Sequence, residues 1–475
     1  MHRMKQLSFA DTYEKCANLF EDQKPEYIKL LEENLDISQY IPVSFYTAFY
    51  QRFGRKRKYS LDAFLSALLL QKIIGIPTDR LLIFILKASR ELRDFCGFEK
   101  VPDPSKLTRF KQDFMPQLEQ LFSSLVDVTE PLCRKIDKEL AATIAFDTSG
   151  IEANVTENNP KYMNTLLRKL KAFYKNKPDV DVYKMVYSLM PSHAVANFDV
   201  KQLQINGHFC YALKFALITN GLGIPRHIAF VDNEFKKNHP EIPVEKKSDS
   251  PDEDKSIGDG RLLKPILSDY FRAHQGFVYD TFLGDSAFDS YDTYPFLLNE
   301  CKFKRALIPL NPRNSSTLPE PGFDENGRPL CPFDKLLSMK YSGITRGKNR
   351  SVRYKWICPK TKFFHGKIVC SCKNPCSPSL SGRMFYTYSD RSLRIYPGIL
   401  RDSEEWETLY KKRADIEKSI NTLKESMCAG TRKTYNSQTI KADVFLAGIA
   451  QLFTVILASK IDRSDCVRSI RRLVA

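Results

Sequence analysis

Residues 410–427, with the sequence YKKRADIEKSINTLKESM, are the stretch around which the chain is organised. Apolar residues recur through it at helical spacing and form one narrow stripe, which predicts a buried seam. The stripe consists of Leu409, Ile416, Ile420, Leu423 and Met427. On a helical wheel of about 100° per residue, four polar side chains share an arc of roughly 60° beside that seam. They are Tyr410, Arg413, Glu417 and Lys424.

This polar face has two interpretations. A carboxylate set between cations can hold a metal ion while the cations hold phosphates. A solvated helix laced with salt bridges presents the same residue types at the same spacing. The helix alone leaves both interpretations open, and the rest of the chain has to decide between them.

The charge of the chain favours a polyanionic partner. The 475 residues include 73 Lys and Arg against 56 Asp and Glu, a net charge of +17, and the pI is near 9.2. Nucleic acid and an anionic membrane both attract such a surface. The N-terminus has no apolar signal region, and the apolar stretch 442–457 is short for a membrane span and contains Asp443 and Gln451. We therefore expect a nucleic-acid partner, no membrane, and a buried helix at 442–457.

Residues 1–135 are predicted to form an all-α, DNA-binding domain. Ser60 is placed to cap a helix that ends near Gly75, a second helix covers 79–95, and Asp103 or Ser105 caps a third. Short helices joined by turns suit a helix-turn-helix-like module, although a plain helical bundle with a solvated basic face fits equally well. The candidate DNA contacts are Arg55, Lys56, Arg57 and Lys58 in a basic run that also includes Arg52, and Lys106, Arg109 and Lys111 on the third helix.

From about residue 140 the pattern is that of an α/β domain, predicted to span 136–475. The run 141–147 (AATIAFD) reads as a buried strand that ends at Asp147, before the turn-prone Thr148-Ser149-Gly150. Strands at 209–219 and 222–231 are joined through Asn220-Gly221, a strong hairpin signal. A helix at 260–273, a strand at 277–283, a helix at 289–300 and a strand at 305–309 follow.

This order of elements is that of a ribonuclease H-like mixed sheet, in which the first strand lies centrally beside the fourth. Asp147 and Asp285 would then sit on neighbouring strand ends, and Glu417 could complete a set of three acids from a helix packed on the sheet. Hard carboxylate oxygens suit Mg²⁺ or Mn²⁺, and two such ions can drive phosphodiester chemistry. No histidine is paired with a carboxylate or cysteine at a suggestive spacing. Asp289 is assigned to a helix cap and Asp415 to the opposite side of its helix.

Two insertions interrupt the α/β pattern. Residues 155–200 are predicted to be largely helical, with no role that follows from their sequence. Residues 311–400 are predicted to be a β-rich subdomain. This subdomain contains Cys331, Cys358, Cys370, Cys372 and Cys376 at irregular spacing. Four thiolates can hold a structural zinc, while the alternative is reduced cysteines scattered through a small β core. Twelve cysteines without a secretory signal indicate a reducing, cytoplasmic setting.

These motifs together resemble bacterial insertion-sequence transposases of the DDE class. Tyr410, Arg413, Glu417 and Lys424 fit the Y-(2)-R-(3)-E-(6)-K signature of that class in full. The stretches FDTSGI around Asp147 and FLGDSAFDS around Asp285 resemble its two aspartate motifs. Residues 53–115 resemble the helical domain found ahead of the catalytic domain, and the likeness covers about residues 50–460.

The resemblance implies a function and a role for each site residue. Asp147, Asp285 and Glu417 would bind two Mg²⁺ ions, Arg413 and Lys424 would hold phosphates, and Tyr410 would contact terminal nucleotides. The substrate would be double-stranded DNA at the ends of the element and at the target, cleaved and joined by a homodimer in the cytoplasm at the nucleoid. The alternatives are a catalytically silent DNA-binding protein derived from a transposase, a metal-dependent nuclease without strand transfer, and a zinc-bearing nucleic-acid adaptor.

Overall fold

The structure is a computed structural model, and it describes most of the chain. The described residues are 26–51, 56–175, 177, 179–205, 207–246, 255–311, 322–324, 327–347, 350–388, 393–401, 403–431 and 433–469. Arg52 and Arg55 of the predicted basic run lie outside them.

The N-terminal region is helical, as predicted. Its helices are α1 (Glu26–Asn34), α2 (Val43–Phe49), α3 (Leu61–Ile74), α4 (Asp79–Ala88), α5 (Arg90–Phe95), α6 (Pro104–Asp113), α7 (Met115–Ile136) and α8 (Lys138–Ala141). Ser60 caps α3 by accepting a hydrogen bond from the Ala63 amide at 3.1 Å, and Gly75 ends it at φ 78°. Asp103 caps α6 in the same way through the Ser105 amide.

One helix boundary in this region was not predicted. Ser89 has an extended backbone that ends α4, and its hydroxyl accepts a hydrogen bond from the Leu92 amide at the start of α5. The predicted single helix 79–95 is therefore two helices. The side chain of Ser89 offers its own capping bond to the backbone, which competes with continuing the helix.

A seven-stranded mixed sheet forms the centre of the rest of the chain. Its strands are β1 (Thr143–Glu152), β2 (His193–Ala194), β3 (Asn197–Ile205), β4 (His208–Asn220), β5 (Pro225–Phe230), β6 (Thr281–Leu283) and β7 (Arg305–Leu307). The order is β2-β3-β4-β1-β6-β7, with β5 also paired to β4. β1 runs antiparallel to β4 and parallel to β6, and β6 runs parallel to β7. The predicted adjacency of the first strand and the strand before Asp285 is confirmed.

The remaining helices flank this sheet and the insertion. They are α9 (Pro160–Phe173), α10 (Val182–Leu189), α11 (Asn233–Asn238), α12 (Asp259–Ala273), α13 (Glu404–Tyr410), α14 (Ala414–Asn421) and α15 (Ser437–Lys460), with a short helical segment Thr293–Pro295 before a π-helix Phe296–Glu300. The residues predicted as a β-rich insertion contain five strands. The insertion holds a three-stranded sheet and a hairpin, made of β8 (Lys340–Gly347), β9 (Arg350–Ile357), β10 (Thr361–Phe364), β11 (Lys367–Cys370) and β12 (Met384–Tyr388).

Two strand predictions need correction. β1 does not end at Asp147, because Thr148, Ser149 and Gly150 continue it and pair with Ala216, Phe215 and Lys214 of β4. A long partner strand outweighs the turn tendency of Thr-Ser-Gly. Residues 197–200, assigned to the end of the helical insertion, instead begin β3, which pairs antiparallel with β4.

Alternation along β1 divides the hydrophobic core into two layers. Ala145 and Ile151 face a core that contains the N-terminal helices and α15, while Ile144 and Phe146 face a second core against α12. Among the described residues, α15 is the one helix long and apolar enough to cross a membrane, yet 94% of its apolar window is buried inside the protein. It packs chiefly on α7 and also on α3 and α6, which confirms the predicted buried helix.

Candidate active site

The polar face of residues 410–427 sits on a helix of changing pitch. α13 ends at Tyr410, a 3₁₀ turn covers Lys411–Arg413, α14 follows, and a π-helix covers Thr422–Ser426. Ile416, Ile420, Leu423 and Met427 are buried as predicted. A helical wheel with a constant angle per residue therefore does not describe the two ends of the segment, which are a 3₁₀ turn and a π-helix. Single π turns inside helices often accompany functional sites, because they re-aim the side chains around them.

Arg413 brings the three predicted acids together. Its Nη2 lies 3.5 Å from Asp147 Oδ2 and 3.5 Å from Asp285 Oδ2, and its Nη1 lies 2.6 Å from Glu417 Oε1. The acids come from β1, from the loop after β6 and from α14. Asp147 points toward α14 because it shares the face of β1 that carries Ala145 and Ile151.

The site carries more negative charge than its one guanidinium can balance. Burial raises the pKa of Asp147 to about 6; the Thr148 amide, at 2.8 Å, and Arg413 oppose this rise, and Asp285 and Glu417 reinforce it. Three carboxylates close to one another favour the binding of a further cation, because a cation stabilises their charged forms.

The donor set fits a hard divalent ion, although the side chains are not arranged as ligands. Within the described ranges, no three Asp, Glu, His or Cys side chains already form a group that could hold a metal ion. Arg413 instead lies among the carboxylates. Asp285 and Glu417 have side chains 46% and 56% exposed, so both can rotate toward an ion without disturbing the core.

Tyr410 and Lys424 lie on either side of the acids. The ring of Tyr410 stacks on Trp406 at 6.2 Å, and its hydroxyl lies 3.5 Å from the Gly284 carbonyl oxygen, next to Asp285. Lys424 Nζ lies 3.5 Å from Ser149 Oγ, two residues beyond Asp147 on the same face of β1. Burial raises the pKa of Tyr410 to about 12 and lowers the pKa of Lys424.

A supporting network behind Asp147 was not predicted. Thr148 points to the opposite face of β1, where its hydroxyl donates to Asp259 Oδ1 at 2.6 Å. Lys214 Nζ, from β4, reaches the same oxygen at 2.6 Å. These bonds fix the middle of β1 to the N-terminal end of α12. The only sequence signal was an acid at the start of a predicted helix, which is too common to single out.

Asp289 does not cap the predicted helix 289–300, which begins only at Thr293, and this corrects the sequence assignment. It is 1% exposed and forms a bidentate ion pair with Arg394 of the β-rich insertion. The Tyr294 hydroxyl and the Asn311 amide also donate to it. Asp289 therefore ties the insertion to the sheet. Asp415 does lie away from the acids, and Arg468 Nη1 contacts it at 2.8 Å.

The predicted DNA contacts of the N-terminal region have different surroundings. Lys56, Lys58, Lys106 and Arg109 are exposed. Arg57 donates from Nε to the Phe49 carbonyl oxygen at 2.6 Å, and its guanidinium lies over the Phe49 ring. The proposal of Lys111 as a DNA contact is corrected. Its side chain is fully buried, and its amine lies 2.8 Å from Asp79 and 3.0 Å from Asp443.

The cysteines of the insertion include one with a shifted pKa. Hydrogen bonding with Cys370, followed by burial and by Cys358, raises the pKa of Cys372 to about 11. Zinc binding by Cys331, Cys358, Cys370, Cys372 and Cys376 stays a prediction. Three histidine–carboxylate contacts were not predicted: His239 lies 2.8 Å from Asp269 and 3.2 Å from Glu241, and His274 lies 2.6 Å from Asp127. Asp269 and Asp127 lie far from their histidines in the sequence, which spacing alone cannot reveal, whereas Glu241 is only two residues from His239.

Comparison with known families adds one finding. Residues 18–113 match the model of a transposase domain (DUF772), which covers the described part of the N-terminal region from α1 to α6. The match supports a transposase family and suggests a role as a DNA-processing enzyme. A search of curated proteins finds no match to the chain.

Proposed function

We propose that this protein is a DDE transposase that binds the ends of its insertion sequence and catalyses metal-dependent DNA cleavage and strand transfer. The observation that carries the proposal is the convergence of Asp147, Asp285 and Glu417 on Arg413. These four residues are spread over positions 147 to 417, and each belongs to one of the three sequence motifs. A chance set of surface acids has no reason to meet around the one arginine of the signature.

The sheet supports a ribonuclease H-like assignment for this domain. The central order β5-β4-β1-β6-β7, with three antiparallel strands followed by two parallel ones, matches the strand order of that fold. Both aspartates then lie on or just after the two central parallel strands. Ligands of open α/β sheets commonly bind at this end of such strands.

The residues of the site divide the work of phosphodiester transfer. Asp147, Asp285 and Glu417 would hold two Mg²⁺ or Mn²⁺ ions, which supply an activated oxygen nucleophile and neutralise the leaving oxygen when bound. Arg413 keeps the carboxylates together and, once they turn away, is free to hold a DNA phosphate. Lys424 neutralises the next phosphate along the strand.

Tyr410 contributes a donor and a stacking surface. Because its pKa is raised to about 12, its hydroxyl stays protonated at neutral pH and can donate a hydrogen bond to a phosphate. Its ring is already held by Trp406, which lowers the entropic cost of contacting a terminal nucleotide. The partner in this proposal is double-stranded DNA, bound by a cytoplasmic homodimer that pairs the two ends of the element.

The test is cleavage of labelled DNA that carries the gene's own flanking sequences. Wild type, Glu417→Gln and Glu425→Gln are compared in the presence of Mg²⁺. Gln keeps the shape of Glu417 but loses the charge that holds a cation. Glu425 is an exposed acid of the same helical segment and serves as the matched control. We expect wild type and Glu425→Gln to cut at the element boundary and Glu417→Gln to bind without cutting.

Other outcomes identify the rival functions. Binding without cleavage by every protein would indicate a silent, transposase-derived DNA-binding protein. Cleavage without joining to a target would indicate a nuclease. Equal cleavage by Glu417→Gln and wild type would place the active site elsewhere and refute the proposal.

A further inference from the structure

The helical insertion, whose role does not follow from its sequence pattern, is strongly basic. Residues 160–189 contain seven Lys or Arg and two Asp, a net charge of +5. These 30 residues thus carry nearly a third of the +17 of the whole chain. They form a hairpin of α9 and α10, in which Lys171 Nζ donates to the Tyr183 hydroxyl at 3.0 Å. We refer to this element as the basic hairpin.

The cations of the basic hairpin face solvent without compensating acids. Lys161, Arg168, Lys169, Lys175 and Lys184 are exposed, and none of them forms an ion pair within the part of the chain that the structure describes. α9 buries none of its residues fully. Phe173, at its end, is 79% exposed. A concentrated, unpaired positive surface is repulsive to itself and attracts a polyanion.

A polar groove lies between the end of β1 and the start of the basic hairpin. The groove, of about 710 Å³, begins at Glu152, the last residue of β1, and reaches Asn159 and Pro160 at the start of α9. Its other wall contains Gly430, Thr431 and Lys433, and the Gly430 amide donates to the Lys424 carbonyl oxygen. Lys433 therefore lines this groove, and the backbone of Lys424 is hydrogen-bonded to the same wall.

The distance along β1 from Asp147 to the groove corresponds to a few base pairs of duplex DNA. Five residues of β1 separate Asp147 from Glu152, about 16 Å at a strand rise of about 3.3 Å per residue. That length corresponds to about five base pairs of DNA. A duplex whose cleavage point lies at the carboxylates would thus reach the groove first and then the basic hairpin, while its phosphates met cations along the way.

We propose that the basic hairpin binds the phosphate backbone of duplex DNA several base pairs from the cleavage point, independently of sequence. The proposal rests on the proposed function, because that function places the scissile phosphate at Asp147. The alternative occupant, a second copy of the chain covering the partly exposed apolar side of α9, is tested alongside.

The experiment compares two double charge reversals in the full-length protein. Lys169→Glu/Lys175→Glu changes the hairpin, and Lys135→Glu/Lys138→Glu makes the same charge change just before β1, at the opposite end of that strand. Affinity for a short duplex of arbitrary sequence is measured at several salt concentrations with a chelator present, so that binding does not depend on catalysis. The oligomeric state is measured by light scattering.

We expect the hairpin variant to lose about tenfold in affinity and about two units of salt slope, one for each lost phosphate contact. The control variant should lose much less on both measures. Equal losses in the two variants would mean that only net charge matters, and no loss in either would remove the hairpin from the DNA path. A changed oligomeric state with unchanged affinity would assign the surface to a second copy. Equal losses in both variants, or no loss in either, would refute the hairpin proposal even if the wild-type protein cleaves DNA. The expected result would support the hairpin proposal even if the wild-type protein does not cleave DNA.

Discussion

Two clusters of charged side chains in this protein differ in charge balance and in exposure to solvent. The first contains Lys72, Lys111, Asp79 and Asp443, and it joins the N-terminal helices to α15. The second contains Asp147, Asp285, Glu417 and Arg413. In the first cluster two cations meet two acids, and three of the four side chains are completely buried, with Asp79 at 12% exposed. In the second, three acids share one cation, and two of the acids are about half exposed.

The two clusters differ because a buried cluster and an exposed cluster compensate their charges in different ways. A buried cluster must balance its own charges, because no solvent or ligand can do so. An open cluster can carry surplus charge because water screens it, and surplus negative charge favours the binding of a further cation. Both clusters were visible in the sequence as scattered acids and bases. Balance and exposure distinguish them, and both properties depend on the fold.

The largest expected effect comes from breaking the balanced cluster. Asp443→Asn removes the carboxylate that meets Lys72 at 2.8 Å and Lys111 at 3.0 Å. The two buried ammonium groups would then lose the carboxylate that both of them contact. We expect a loss of roughly 3 to 5 kcal/mol in the free energy of unfolding, measured by chemical denaturation.

Two further variants serve as controls for this measurement. Asp94→Asn removes an exposed ion pair with Arg90 and should cost at most about 0.5 kcal/mol. Asp285→Asn removes one acid of the open cluster and should also change stability by about 0.5 kcal/mol or less. If Asp443→Asn were no more damaging than these two, balance would not be what distinguishes the clusters.

The second effect is a pH dependence of the open cluster. The pKa of Asp147 is about 6 in the folded protein, against an ordinary value of 3.8. Between these values the folded state holds a proton that the unfolded state has lost, so stability falls as pH rises from about 4 to about 6. The fall, at most roughly 3 kcal/mol over this window, should be present without metal and absent in Asp147→Asn. Parallel curves for the two proteins in chelator would contradict the raised pKa.

The sequence predicted the local parts of this arrangement well. The caps at Ser60 and Asp103, the hairpin through Asn220-Gly221 and the buried seam of Ile416, Ile420 and Leu423 depend on neighbouring residues, and all are present in the structure. The adjacency of β1 and β6 also followed, because the order of strands and helices leaves few alternatives.

The errors arose where distant residues decide the outcome. Thr148-Ser149-Gly150 has the composition of a turn, but β4 supplies nine residues of pairing that keep it extended. Lys111 has the position of a DNA contact on its helix, but Asp443, more than 300 residues away, holds it in the core. Neither partner can be found from the local pattern. The same limit hid Arg394 as the partner of Asp289.

The smallest expected effect is the stabilisation of the protein by a cation bound at the open cluster. Mg²⁺ should stabilise the wild-type protein by about 1.4 kcal/mol at ten times its dissociation constant, because a ligand that binds only the folded state adds RT ln(1 + [L]/Kd). Asp285→Asn should lose most of this stabilisation, whereas Asp292→Asn, which changes an exposed acid seven residues further on, should keep it. Chelator should reverse the effect. Mg²⁺ should also abolish the fall in stability between pH 4 and 6, since a bound cation favours the charged form of Asp147.

Equal stabilisation of all three proteins would mean that the ions bind elsewhere. The surplus charge around Arg413 would then be balanced by water alone, and the open cluster would be an ordinary salt-bridged surface.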